Sequence, residues 1–216
     1  MVKSFKLLVI TIDDGLLFQT HIKNLKLGVN KRLYSIKKLF FLSDSVKVQF
    51  FKTFIMPCFD YCITLSVYLT KTQIDSLEKF YNVCLFRLLN LNLFYLSVLG
   101  QFKILKDYNL LPFRMRLVMR LGKFCHKIMN EVILVPFQRK LDFKNQNSAL
   151  RFVDLVEEPF MKTNFAQRSL EYFLPRFINK VLRNWYQLSV EDFDKAIKQN
   201  VEIFFNNFDI NFFLIN

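Results

Sequence analysis

Within the first twenty positions the spacing of apolar residues changes from a continuous run to a helical repeat. Leu7 to Ile12 is apolar and β-branched, which predicts a strand, at an edge or in a hairpin. Asp13, Asp14 and Gly15 read as the turn that ends it. From about residue 17 to 42, Leu25, Val29, Leu33, Ile36 and Phe40 recur three or four apart, the spacing of one helix face. Ser43 is the expected cap of a second helix, Asp44 to about Tyr68, which Pro57 kinks or splits. Thr72 is read as the cap of a third, ending near Leu89, with Asn90 to Tyr95 as loop. Further helices are expected from about Leu96 to Tyr108, from Leu110-Leu111-Pro112 to about Met129, and from about Pro175 to Gln187. Ser189-Val190-Glu191-Asp192 opens the last, with carboxylates where the helix dipole favours them.

These elements predict a mainly α fold, a helical bundle with a short N-terminal β-strand or hairpin and a small C-terminal helical part. Residues 1–15 form the β element, 16–130 the helical domain, 131–163 an irregular linker and 164–216 the C-terminal helices. Composition agrees. With 52% hydrophobic and 23% charged residues the chain can build a core. Four glycines and five prolines leave little material for the tight turns of an all-β fold. The 27 phenylalanines, the kind of excess an AT-rich coding sequence produces, are discounted as a functional sign.

Charge narrows the partner. A net charge of +13 on a chain of 216 residues points to a polyanion, RNA or DNA first, with a membrane surface as the competing target. No signal peptide and no membrane span are expected, because the most apolar stretch, Thr53 to Thr70, is interrupted by Pro57 and Asp60. The four cysteines read as reduced thiols of a cytoplasmic or nuclear protein.

The cations fall in two stripes. Lys23, Lys26, Lys31, Lys37 and Lys38 are assigned to the side of the first long helix away from its apolar positions, with Arg32, Lys47 and Lys52 adding to the patch. After Pro112, Arg116, Arg120, Lys123 and Lys127 are spaced four, three and four apart on one helix face, beside an apolar stripe of Leu117, Leu121, Phe124 and Ile128. Regularly spaced cations on a rigid element suit a phosphate backbone; a solvated helix face is the plainer alternative. Tyr34, Tyr81, Tyr95 and Tyr186 are candidates for stacking on bases, against an ordinary place in the core.

Catalytic chemistry is harder to find. Adjacent side chains such as Asp13 and Asp14 point to opposite faces of a strand, whereas a two-metal site draws carboxylates from separate strands, so this pair reads as a turn. Cys58 and Cys62 lie four apart without a second knuckle, so no metal site is expected. A Cys/His nucleophilic pair with His21 or His126 stays open but has no supporting motif. There is no P-loop, dinucleotide fingerprint or Gly-x-Ser-x-Gly.

Taken in order, several segments resemble the region after the palm in reverse transcriptases of non-LTR (LINE-like, jockey-type) retrotransposons. Leu8-Val9-Ile10-Thr11-Ile12-Asp13, Leu17-Phe18 and His21-Ile22 look like the family's strand, turn and helix, with Leu8-Val9 where the family usually has Leu-Gly. Lys31-Arg32-Leu33-Tyr34 with Ile36-Lys37-Lys38 looks like its basic helix. Phe50 to Pro57 with Phe59-Asp60-Tyr61-Cys62 looks like its Pro and aromatic-Tyr segment. Leu110-Leu111-Pro112-Phe113, Arg116 and Lys127-Ile128-Met129-Asn130 resemble a later helix, and Leu174-Pro175-Arg176 through Lys198 the C-terminal tail. Each segment is weak alone; their order carries the likeness.

The resemblance implies a helical, thumb-like domain and tail of an RNA-directed DNA polymerase, gripping template–primer RNA, DNA or their hybrid through the two basic stripes. The palm of such enzymes carries the catalytic aspartates, in a Tyr/Phe-x-Asp-Asp motif, and its magnesium ions. No such motif with upstream palm strands occurs here. The expectation is therefore a piece without catalytic residues or a cofactor of its own, inactive alone, whose further partner is the missing palm of the same polyprotein. The alternative is a basic amphipathic interaction or membrane-surface protein without enzymatic activity.

Overall fold

A computed structural model describes residues 4–37, 41–61, 63–91, 98–130, 141, 155–163, 166, 169–181 and 183–207. It is mainly helical with an N-terminal hairpin, as the apolar spacing predicts. The chain divides into two compact units, Met1–Leu117 and Val118–Asn216.

The first unit begins with β1 (Ser4–Leu7) antiparallel to β2 (Ile10–Asp13), Leu7 opposite Ile10. The single strand expected over Leu7 to Ile12 is thus folded back at Leu8 and Val9. A two-residue loop needs a positive φ at its first position to match the strand twist, and Leu8 takes it at φ 55°. The Asp13-Asp14-Gly15 turn forms as expected. The Asp13 carbonyl accepts from Leu16 N–H at 3.1 Å and its carboxylate from Leu17 N–H at 2.6 Å.

Helix α1 (Gln19–Lys37) buries Ile22, Val29, Leu33 and Ile36. Leu25 is half-buried, and Phe40 lies outside the described residues. Pro57 neither stops nor simply kinks the second helix. Helix α2 (Asp44–Phe50) runs into a π-helical turn, Phe51–Ile55, and then into α3 (Met56–Asp60). Proline lacks the N–H of the regular ladder and crowds the carbonyl four residues back. A π-turn placed just ahead of it loosens that spacing: Met56 N–H bonds the carbonyl of Phe51, five back, while Phe51 and Ile55 are fully buried. A 3-10 segment, Ile63–Tyr68, follows.

Helix α4 (Lys71–Leu88) is capped by Thr70, two residues before the expected Thr72. Thr70 has a glutamine three residues on. Its hydroxyl accepts from Gln73 N–H at 3.3 Å, and Gln73 Oε1 accepts from Thr70 N–H at 2.8 Å, a capping box. α4 is the spine of the unit. Its Tyr81 has ring contacts with Phe51 at 5.2 Å, Phe59 at 5.4 Å and Phe113 at 5.8 Å. Helix α5 (Val98–Asp107) and the first turn of α6 (Phe113–Asn130) complete it. Arg114 bridges to Asp75 and Glu78, and Arg116 to Asp60.

The second unit holds the rest of α6, then α7 (Leu170–Lys180), a 3-10 turn Arg183–Gln187, and α8 (Val190–Asn207). Helix α7 begins five residues before the expected Pro175, because Ser169 caps it, accepting from Tyr172 N–H at 3.2 Å. Pro175 sits inside the helix at the cost of one ladder bond. Its ring is buried, as are Phe173, Leu174, Phe177 and Ile178 around it. Ser189 caps α8 through Asp192 N–H at 3.2 Å. Gly122 lets α6 approach its neighbours closely: a Cβ there would stand 2.6 Å from Ile197 Cδ1 and 3.6 Å from Phe177 Cζ.

Candidate nucleic-acid interface

Helix α1 carries no acidic residue. Lys23 and Lys31 are exposed on it, and Lys37 is its last residue; Lys38 lies outside the described residues. Lys26 departs from the expected solvent stripe. It stands one turn from Ile22 and from Val29, on the side that meets α4, where its ammonium donates to Ser76 Oγ at 2.6 Å and lies 5.6 Å from the Phe80 ring centroid. Lys47 and Lys52 do not extend the patch either. Lys47 is buried along its apolar stem with its ammonium 3.0 Å from Asp44, and Lys52 donates to the Tyr108 carbonyl at 3.1 Å. Arg32 is exposed and is held from one side, donating through Nη1 to the Phe54 carbonyl at 3.0 Å and to Cys58 Sγ at 2.9 Å.

The four cations of α6 share a helix face but not an environment. Arg116 has only 15% of its side chain exposed and pairs with Asp60, itself at 16%. Lys123 meets Asp194 at 3.0 Å within the second unit. Arg120 and Lys127 are exposed. Of the expected apolar stripe Leu117, Leu121 and Ile128 are buried and Phe124 half-buried.

The tyrosines separate by tertiary position. Tyr81 and Tyr186 belong to the core, Tyr34 is 70% exposed on α1, and Tyr95 lies outside the described residues. Tyr34 borders a cavity of about 370 Å³ that it shares with Asn30 and with Arg87 from α4. Arg87 is exposed and was not among the expected site residues. Its sequence context, the last turn of an amphipathic helix, gives no sign that it comes to lie beside α1.

Among the described residues no cysteine is hydrogen-bonded to a histidine. Burial pushes the Cys84 thiol up to about 12 and raises that of Cys125 as well. Burial also raises the half-buried Cys58, against the pull of Arg32. Burial lowers His21, whose Nδ1 accepts from Thr11 N–H at 3.4 Å. His126 is buried with Nε2 2.9 Å from the Leu188 carbonyl and its ring 4.4 Å from that of Phe193. Cys62 lies outside the described residues. Among the described residues no three His, Cys, Asp or Glu side chains converge, and no helix is long and apolar enough to cross a membrane.

Compared with known proteins, the chain matches no family model, no curated protein and no solved structure.

Proposed function

We propose that these residues form the thumb and C-terminal part of a non-LTR retrotransposon reverse transcriptase and bind template–primer nucleic acid through basic helices. The observation that carries this reading is helix α1: no acid along it, Lys23 and Lys31 exposed, and Tyr34 exposed on the same helix beside Arg87. Cations at helical spacing reach successive phosphates, and an exposed aromatic ring offers a stacking platform without sequence readout. The order of the family-like segments supports the same assignment. So does the hairpin, which exposes Phe5 and Leu7, apolar surface of the kind a neighbouring palm domain covers.

The test is titration of a labelled RNA–DNA hybrid at graded salt. Binding is expected to weaken steeply as salt rises, and the double variant Lys23→Glu, Lys31→Glu is expected to flatten that dependence. Affinity indifferent to salt sinks the reading. Sedimentation with anionic vesicles in the absence of hybrid binding assigns the chain to the membrane-surface class instead.

A further inference from the structure

In the first unit a cavity of about 460 Å³ opens between the hairpin, α1 and α3. Its walls are largely apolar: Val9 from the hairpin loop, Leu25 and Val29 from α1, and Pro57 from α3. Polar groups where α1 meets β2 are taken up by one another. Asn24 donates to Thr11 Oγ1 at 3.3 Å, and Thr11 N–H points to His21. Gly28 opens the wall on α1, since a Cβ built there meets nothing within 4 Å.

The cavity also has a sign. Lys6 and Arg32 line it, and among the described residues no Asp or Glu does. Arg32 is fixed by the Phe54 carbonyl and Cys58 Sγ through Nη1 alone, which leaves Nε and Nη2 without a carboxylate among the described residues. A guanidinium held in place with two donors to spare is arranged to grip a planar anion. An apolar pocket of this size, with a few convergent polar groups, is the usual form of a small-molecule site.

We propose that this cavity binds a monoacyl carboxylate, its apolar chain between Val9, Leu25, Val29 and Pro57 and its head group on Arg32 and Lys6. The site is independent of the nucleic-acid reading, which rests on other residues of α1. Cys58 borders the cavity and reports on it, because a bound chain covers the thiol.

The experiment is calorimetric titration of the full chain with decanoate below its micelle concentration, with decyltrimethylammonium as the control of opposite charge. Decanoate is expected to bind at least about tenfold more tightly than the ammonium and to slow iodoacetamide alkylation at Cys58, read by peptide mass spectrometry. Gly28→Phe fills the cavity and is expected to abolish decanoate binding while hybrid binding keeps its salt dependence. Where circular dichroism shows that Gly28→Phe does not fold, Arg32→Gln decides, and is expected to weaken decanoate by about tenfold or more. The proposal is overturned by no decanoate binding, by equal binding of the ammonium, by full binding to a folded Gly28→Phe, by an unweakened Arg32→Gln, or by binding to anionic vesicles with none to free decanoate.

Discussion

Asn90 and Asn109 show how single positions end helices where glycine is scarce. Both hold the left-handed conformation, at φ 56° and 50°, as the second residue beyond α4 and α5. Leu91 N–H then reaches back to the Phe86 carbonyl at 2.8 Å, and Leu110 N–H to that of Leu105 at 2.8 Å, which satisfies carbonyls the helix ends leave open. Asparagine tolerates this conformation and β-branched residues do not. Asn109→Val is therefore expected to cost about 1–3 kcal/mol, and Asn109→Gly to leave stability unchanged or slightly raised, both measured by urea unfolding. An unaffected Asn109→Val would show that the turn re-forms another way. These stops were partly legible: a loop beginning at Asn90 is what asparagine after an apolar helix suggests.

Packing between helices rests on a few positions whose partners lie far along the chain. Arg116 joins the start of α6 to Asp60 at the end of α3, with both side chains mostly buried. Removing one member takes a close counter-charge from the other in a mostly desolvated place. Arg116→Met is thus expected to destabilise by about 3–5 kcal/mol, and the double variant Arg116→Met, Asp60→Leu to recover much of that loss. A double variant no more stable than Arg116→Met alone would assign the effect to packing and not to charge. In the second unit, Gly122 sets how closely α6 meets α8. Gly122→Ala displaces only the flexible end of Ile197. It also gains about 0.8–1.0 kcal/mol of helix propensity, so the net change is expected to be small. Gly122→Leu has no such escape and is expected to cost about 1–3 kcal/mol by overpacking. Comparison of the two melting temperatures separates the terms. None of this was readable from the stripe at Arg116 to Lys127, which gives the face of a helix and not what stands opposite it.

For the chain as a molecule, a net charge of +13 sets a long-range attraction for polyanions whatever its detailed arrangement. The arrangement decides how many phosphates it neutralises. Lys26 is bonded to Ser76, and Arg116 and Lys123 face acids, so the effective number falls below the count of expected site residues. For the roughly six expected cations that remain, the logarithm of the hybrid-binding constant is expected to fall with the logarithm of salt concentration at a slope of about −5. The variant Lys23→Glu, Lys31→Glu is expected to reduce that slope by about 2 units. A slope near −8 would mean that the internally paired cations reach the duplex after all.

The sequence was sufficient for what neighbours along the chain decide. Helical class, the N-terminal β element, the Ser189 cap and the Asp13 turn follow from apolar period and capping chemistry, which act over a few residues. Lys26 marks the limit of that reading: it is assigned to the solvent stripe, although its spacing of four from Ile22 and three from Val29 sets it beside buried positions. The fates of the other cations came from tertiary structure. Lys52 finds a carbonyl 56 positions away, and Arg116 a carboxylate at the same separation. The cavity beside Gly28, with Arg32 fixed by a carbonyl 22 residues on, is of the same kind. A local pattern shows which way a side chain faces; what it meets there depends on which distant element the packed core brings against it.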